Sequence, residues 1–144
     1  MENTEYLEKS KAVQISPITL AFLGDAVYSL YVRERLVRSG TGKAADFQRA
    51  SAKLVSARGQ SAFLERVLPL FTEEESDIYR RGRNAKKPTK SKNASAIEYC
   101  RSTGFEAVLG YLHLTGQKER LGVLFAMIED DDLQGVGLNK VYKP

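Results

Sequence analysis

An all-α fold is predicted by three observations. Apolar residues recur three and four positions apart through most of the chain, helix start and stop signals bracket those stretches, and no segment alternates apolar and polar residues long enough to make a strand. With 144 residues, 42% apolar and 28% charged, the chain has the size and composition of one domain built on a single core. Breaks counted, the pattern amounts to roughly seven helices.

Taken in order, Ser16 is a helix N-cap, Pro17 suits a first turn, and Ser39-Gly40 closes a helix over residues 17–38. From Ala44 to Phe71 the apolar spacing is again helical; Gly59 is expected to break or bend this stretch and Pro69 to end it. Thr72, with Glu75 three residues on, forms a capping box that opens a charged helix running to Arg83. The segment NAKKPTKSKNAS, Asn84 to Ser95, has no periodicity and reads as a loop. Ser95 can cap the next helix, in which Phe105, Val108, Leu109 and Leu112 repeat at helical spacing up to Gly116. A last helix, from Lys118 to Glu129, precedes a tail rich in Gly and Asp.

Several classes are not expected. The N-terminus MENTEYLEKS lacks the basic region and apolar core of a secretory signal. The longest apolar run, Ile18 to Val32, is shorter than the roughly 18 residues a bilayer crossing needs and carries Asp25 at its centre, so no membrane partner is expected. Cys100 is alone, which rules out an internal disulfide and a cysteine-rich zinc centre; it reads as a structural thiol in a reducing cytoplasm.

Charge is concentrated. Between Asp77 and Glu98 there is no acid, while Arg80, Arg81, Arg83, Lys86, Lys87, Lys90 and Lys92 add seven positive charges, more than the net +4 of the whole chain. A localised contact with a polyanion follows, and these seven residues, in a basic segment over about 80–94, are the candidate contacts.

Asp25 raises the sharpest question. On a helix, Ile18, Ala21, Phe22, Tyr28, Ser29 and Val32 lie within about 60° of it, so it is expected to face protein. A buried carboxylate persists only if protonated, hydrogen-bonded, ion-paired or bound to a metal. A structural, arginine-paired aspartate is the plain alternative. Yet Ala21 and Ser29 are small and leave room beside it, and a second isolated acid, Glu106, sits on another apolar helix with Ser102, Thr103 and Gly110 on its face. Two such acids can share a divalent cation. Magnesium suits one or two carboxylates completed by water and phosphate, and the lack of nearby His or Cys argues against zinc.

The segment LAFLGDAVYSLYVRERL, Leu20 to Leu36, resembles the signature helix of the ribonuclease III family, with the F-L-G-D core at Phe22, Leu23, Gly24 and Asp25. FEAVLGYLHL, Phe105 to Leu114, resembles that family's second acidic helix, and the resemblance covers nearly the whole chain. Acids of the family pattern are replaced by Ile18, Ala21 and Thr103, and a further one aligns loosely with Ala44. This reduced set, RRGRNAK at Arg80 to Lys86, and an expected end after one catalytic domain are similar to the mini-ribonuclease III group, which lacks the double-stranded-RNA-binding domain.

The resemblance implies a ribonuclease III-type helical bundle over residues 1–144 and a Mg²⁺-dependent endoribonuclease, with Mn²⁺ able to substitute. It further implies double-stranded RNA as substrate, the precursor of 23S ribosomal RNA as its natural source, and a homodimer, with a ribosomal protein as a further candidate partner. Asp25 and Glu106 are then the metal ligands and catalytic residues. Attack by water with departure of the 3′ oxygen would leave a 5′ phosphate and a 3′ hydroxyl, which fits the absence of a His pair. The competing class is a non-catalytic RNA-binding or ribosome-associated module that lost its activity. His113 is expected at the surface or in packing, Glu129 to Asp132 as a solvated helix end, and Tyr28 and Tyr31 in the core or a subunit interface. The apolar content of the first long helix exceeds one core's need, so a two-fold contact is expected along it.

Overall fold

The computed structural model describes residues 5–85, 94–133 and 135–138. The architecture is a helical bundle. A one-turn helix α1 (Lys9–Ala12) leads into α2 (Pro17–Ser39), then α3 (Ala44–Val55), α4 (Ala57–Val67) and a 3₁₀ turn at Leu68–Leu70. There follow α5 (Glu73–Ala85), α6 (Ala94–Leu114), α7 (Lys118–Phe125) and a second 3₁₀ turn, Asp130–Asp132. Two-residue strands β1 (Gly40–Thr41) and β2 (Gly137–Leu138) pair antiparallel, Gly40 opposite Leu138.

Helices α2 and α6 form the centre of the bundle. At 23 and 21 residues they are the longest elements, and both are apolar around much of their circumference, as a helix enclosed by others must be. They cross at glycines: a Cβ on Gly110 would stand 2.1 Å from the Leu20 carbonyl oxygen. The remaining helices bury one face each. Tyr28 from α2, Phe63 from α4, Phe105 from α6 and Phe125 from α7 meet in an aromatic cluster at the core, with the Tyr28 and Phe105 centroids 5.7 Å apart, and Tyr28 Oη donates 2.8 Å to the Leu54 carbonyl. Tyr31 stacks on Phe125 at 4.4 Å. Both tyrosines are accounted for by packing.

Local chemistry explains most boundaries. Ser16 Oγ accepts from Ile18 N at 3.3 Å and Pro17 opens α2. The capping box forms as expected: Thr72 Oγ1 accepts from Glu75 N at 3.1 Å, and Glu75 Oε1 accepts from Thr72 N at 3.0 Å. Several boundaries differ from expectation, among them the end of α5, which runs on to Ala85 so that Asn84 and Ala85, expected in the loop, are helical. The break between α3 and α4 is at Ser56, whose hydroxyl accepts from Gly59 N at 3.1 Å; Gly59 itself lies in the first turn of α4, where a Cβ would stand 2.1 Å from the Lys53 carbonyl oxygen. That glycine serves a close approach, not a break. Helix α6 begins at Ala94, one residue before its expected cap, and α7 ends at Phe125.

The acidic run after α7 also differs in part. Glu129, Asp130 and Asp131 are exposed, as a solvated end would be, but Asp132 is bonded by both terminal nitrogens of Arg66, Nη2 at 2.9 Å, and Arg35 donates to the Ile128 carbonyl at 2.7 Å and to Asp130 at 3.0 Å. Two arginines thus fasten this segment to α2 and α4. No helix among the described residues is long and apolar enough to cross a membrane.

Candidate active site

The α2–α6 crossing brings the two singled-out acids together. Gly24 lies against the backbone of Glu106, with no room for a side chain between them, so the next residue on α2, Asp25, emerges at the edge of the crossing beside Glu106, close enough to raise the pKa of its carboxyl group. From Ser102 to Leu112 every residue of α6 is buried except Glu106, which is half-buried. Asp25 is exposed, contrary to the expectation that it faces protein. The reason is geometric: the face it shares with Phe22 lies just outside the contact with α6, and Phe22 is 82% exposed.

Both acids open into a cleft of about 400 Å³, walled by Ile18, Ala21 and Phe22 from α2 and by Tyr99 and Thr103 from α6. Burial pushes the Glu106 carboxyl up to about 7; a hydrogen bond from Gln60 opposes this, and the neighbouring Asp25 adds to the rise. Gln60 Nε2 donates to Glu106 Oε2 at 3.0 Å and to the Val55 carbonyl at 3.2 Å. Gln60 was not singled out from the sequence. It could have been, because it shares the buried stripe of α4 with Phe63, Leu64 and Val67, where an amide is out of place.

Among the described residues no group of three or more His, Cys, Asp or Glu side chains converges on one point. The cleft therefore offers two carboxylates, a hard-oxygen donor set that fits a magnesium-type cation completed by water and phosphate. Two facing acids, one half-buried, are also the arrangement a cation would relieve. His113 is exposed, as expected. Cys100 is buried, as a structural thiol would be.

Of the basic segment, Arg80, Arg81 and Arg83 occupy the last turns of α5. Arg80 and Arg81 are exposed, Arg80 pairing with Asp77, and Arg83 lies over the Tyr79 ring, 5.6 Å from its centroid. Lys86, Lys87, Lys90 and Lys92 lie outside the described residues. Helix α5 packs on α6 through another glycine contact: a Cβ on Gly82 would stand 2.9 Å from the Gly104 Cα and 3.3 Å from the carbonyl oxygen of Thr103, a residue of the cleft wall.

Comparison with known families decides what this frame is. Residues 18–117 match the model of the ribonuclease III domain. The chain belongs to the ribonuclease III family. It is similar to the mini-ribonuclease 3 of Symbiobacterium thermophilum, 47% identical over 116 residues that make up 81% of this chain and 89% of the relative. With the mini-ribonuclease 3 of Streptococcus pneumoniae it shares 48% identity over 109 residues, 74% of this chain and 85% of the relative. A crystal structure of a Fusobacterium nucleatum protein superimposes with a TM-score of 0.66 at 27% identity, covering 76% of this chain and 88% of that one. As a ribonuclease III family member the chain is an endoribonuclease, and its helical bundle is the one this family builds.

Against the ribonuclease III pattern the cleft acquires a further meaning. Ile18, Ala21 and Thr103, expected from the sequence to replace other acids of that pattern, all line the cleft that holds Asp25 and Glu106. Ala44 lies apart, at the start of α3.

Proposed function

We propose that this ribonuclease III family member is a Mg²⁺-dependent endoribonuclease that cleaves double-stranded RNA as a homodimer in the cytoplasm, with the 23S ribosomal RNA precursor as natural substrate. The observation that carries the reading is the meeting of Asp25 and Glu106 across the α2–α6 crossing, in a cleft open to solvent. A non-catalytic module would have no reason to keep two facing acids there.

Asp25 and Glu106 would hold the cation, Mg²⁺ or Mn²⁺, which when bound supplies a more acidic water and a counter-charge for the phosphate undergoing in-line displacement. The chain's own share is positional. Helix backbones in direct contact fix the spacing of the two carboxylates, and Ile18, Ala21 and Phe22 form the α2 wall of the cleft beside them. Cleavage between phosphorus and the 3′ oxygen leaves a 5′ phosphate and a 3′ hydroxyl.

Arg80, Arg81, Arg83 and the four lysines that follow would follow the phosphates of an A-form duplex, whose base edges are hidden in a deep groove, so recognition is by shape. The Gly82–Gly104 contact supports this role by tying the start of the basic run to the cleft wall. A second copy fits the outer face of α2, where Phe22, Leu30 and Val37 are 82%, 60% and 70% exposed at helical spacing. Two-fold symmetry then gives one cleft per RNA strand. The lone buried Cys100 supports a reducing compartment.

The test is incubation of a perfect RNA duplex with the native chain and with Asp25→Asn, in Mg²⁺, in Mn²⁺ and in EDTA. Double-strand cutting to 5′-phosphorylated ends is expected only for the native chain with metal. Duplex binding without cutting in Mg²⁺ would overturn the proposal. In cells depleted of the protein, 23S precursors should accumulate with uncut ends.

A further inference from the structure

We infer that Gln60 is a positioning residue: its side-chain amide holds the Glu106 carboxylate in the orientation in which it shares a cation with Asp25. The inference rests on the metal reading above and deepens it.

Gln60 is 2% exposed and sits on the buried stripe of α4. An amide there is costly, because an apolar side chain of similar size would fill the position with no polar atoms to satisfy. Its two N–H groups go to two acceptors, Glu106 Oε2 at 3.0 Å and the Val55 carbonyl at 3.2 Å. That fixes which end of the amide faces the acid, since the flipped arrangement would set the amide oxygen against both acceptors. The other end, Oε1, is buried with no protein donor. The amide is therefore spent on Glu106 and on the α3–α4 turn that carries it.

The mounting of Gln60 is rigid. At the near end of α4, Ser102 of α6 donates to the Ala57 carbonyl at 3.3 Å, and Gly59 is pressed against the end of α3. At the far end, Arg66 is bonded to Asp132. Helix α4 is thus tied to the helix that carries Glu106, which places the Gln60 donor 3.0 Å from that carboxylate. Groups of this kind, one bond removed from a metal, fix ligand orientation.

A purely structural role, bracing the Val55 carbonyl, predicts a different outcome from a positioning role. The informative variant is Gln60→Met, which matches the length of the side chain and removes both donors. Four quantities are measured on the full chain: thermal unfolding without metal, Mn²⁺ affinity from the free-ion electron paramagnetic resonance signal, and kcat and KM on duplex RNA. Positioning predicts a Mn²⁺ Kd weakened ~10-fold or more and a comparable fall in kcat at limiting Mg²⁺, with KM for RNA unchanged. Gln60→Asn keeps a buried amide but is one methylene short of reaching both acceptors; it reads the same quantities if Gln60→Met does not fold. A folded variant with native Mn²⁺ affinity and native kcat overturns the inference alone, provided Asp25→Asn weakens Mn²⁺ binding in the same assay. A native chain that titrates no Mn²⁺ overturns the metal reading and this inference with it.

Discussion

A Cβ on Gly24 would stand 1.7 Å from the carbonyl oxygen of Glu106, so the helices bearing the two acids touch backbone to backbone at the site itself. Gly24→Ala should force α2 and α6 apart. Overpacking of this kind costs about 3 kcal/mol or more, and a displacement of about 1 Å between positioned groups can lower a rate ~100-fold. Urea denaturation and duplex cleavage measure the two effects. Gly122 on α7 is the control, since nothing lies within 4 Å of a Cβ there; Gly122→Ala should leave cutting intact and stabilise the fold by about 0.5–1 kcal/mol.

Glu106 should make the stability of the metal-free protein depend on pH. Its carboxyl is pushed from 4.5 up to about 7 by burial and by Asp25, so the folded chain holds a proton that the unfolded chain has released between those values. The contribution is fully present below about 4.5 and is lost as pH rises through about 7. Glu106→Gln cannot lose that proton. Melting of both chains in EDTA between pH 5 and 8 should show the native midpoint falling more steeply than that of the variant. Parallel curves would contradict the assignment.

Arg120 should be among the most sensitive charged positions outside the cleft. It donates to both oxygens of Glu75 at 2.8 Å, and the Glu75 side chain is only 3% exposed. Arg120→Ala strands a buried carboxylate at the start of α5 and should cost about 3–5 kcal/mol. Replacing Glu75 as well by Gln should recover part of that loss, which chemical denaturation of the single and double variants will show.

Leu30→Glu tests the second copy. The side chain projects from the outer face of α2, away from both the core and the cleft. Charge there should convert a dimer to a monomer in size-exclusion chromatography with light scattering, without lowering the melting point of a dilute sample. A native chain that is already monomeric at high concentration removes the dimer from the proposal.

The sequence was most legible where local chemistry acts alone. Ser16-Pro17 and the Thr72–Glu75 box set helix starts through bonds within one turn, and these formed as expected. Gly59 was misread because a glycine that permits contact between helices looks, in one dimension, like a glycine that ends one. The two acids were visible as isolated charges on apolar helices. The exposure of Asp25 was not, because a helical wheel shows which residues share a face but not where the neighbouring helix stops covering it. Gln60 is legible only in part: an amide on the apolar stripe of α4 is a local signal, but its bond to Glu106 on another helix is encoded by no local pattern.

The acids belong to α2 and α6, with α3, α4 and α5 threaded between them in the chain. A polypeptide emerging from the ribosome displays Asp25 long before Glu106 has been synthesised, let alone docked. Until the late helix slots against the early one, the growing chain carries only one of the two acids proposed to form its cutting centre. On that proposal, RNA near a chain still being made meets an incomplete site.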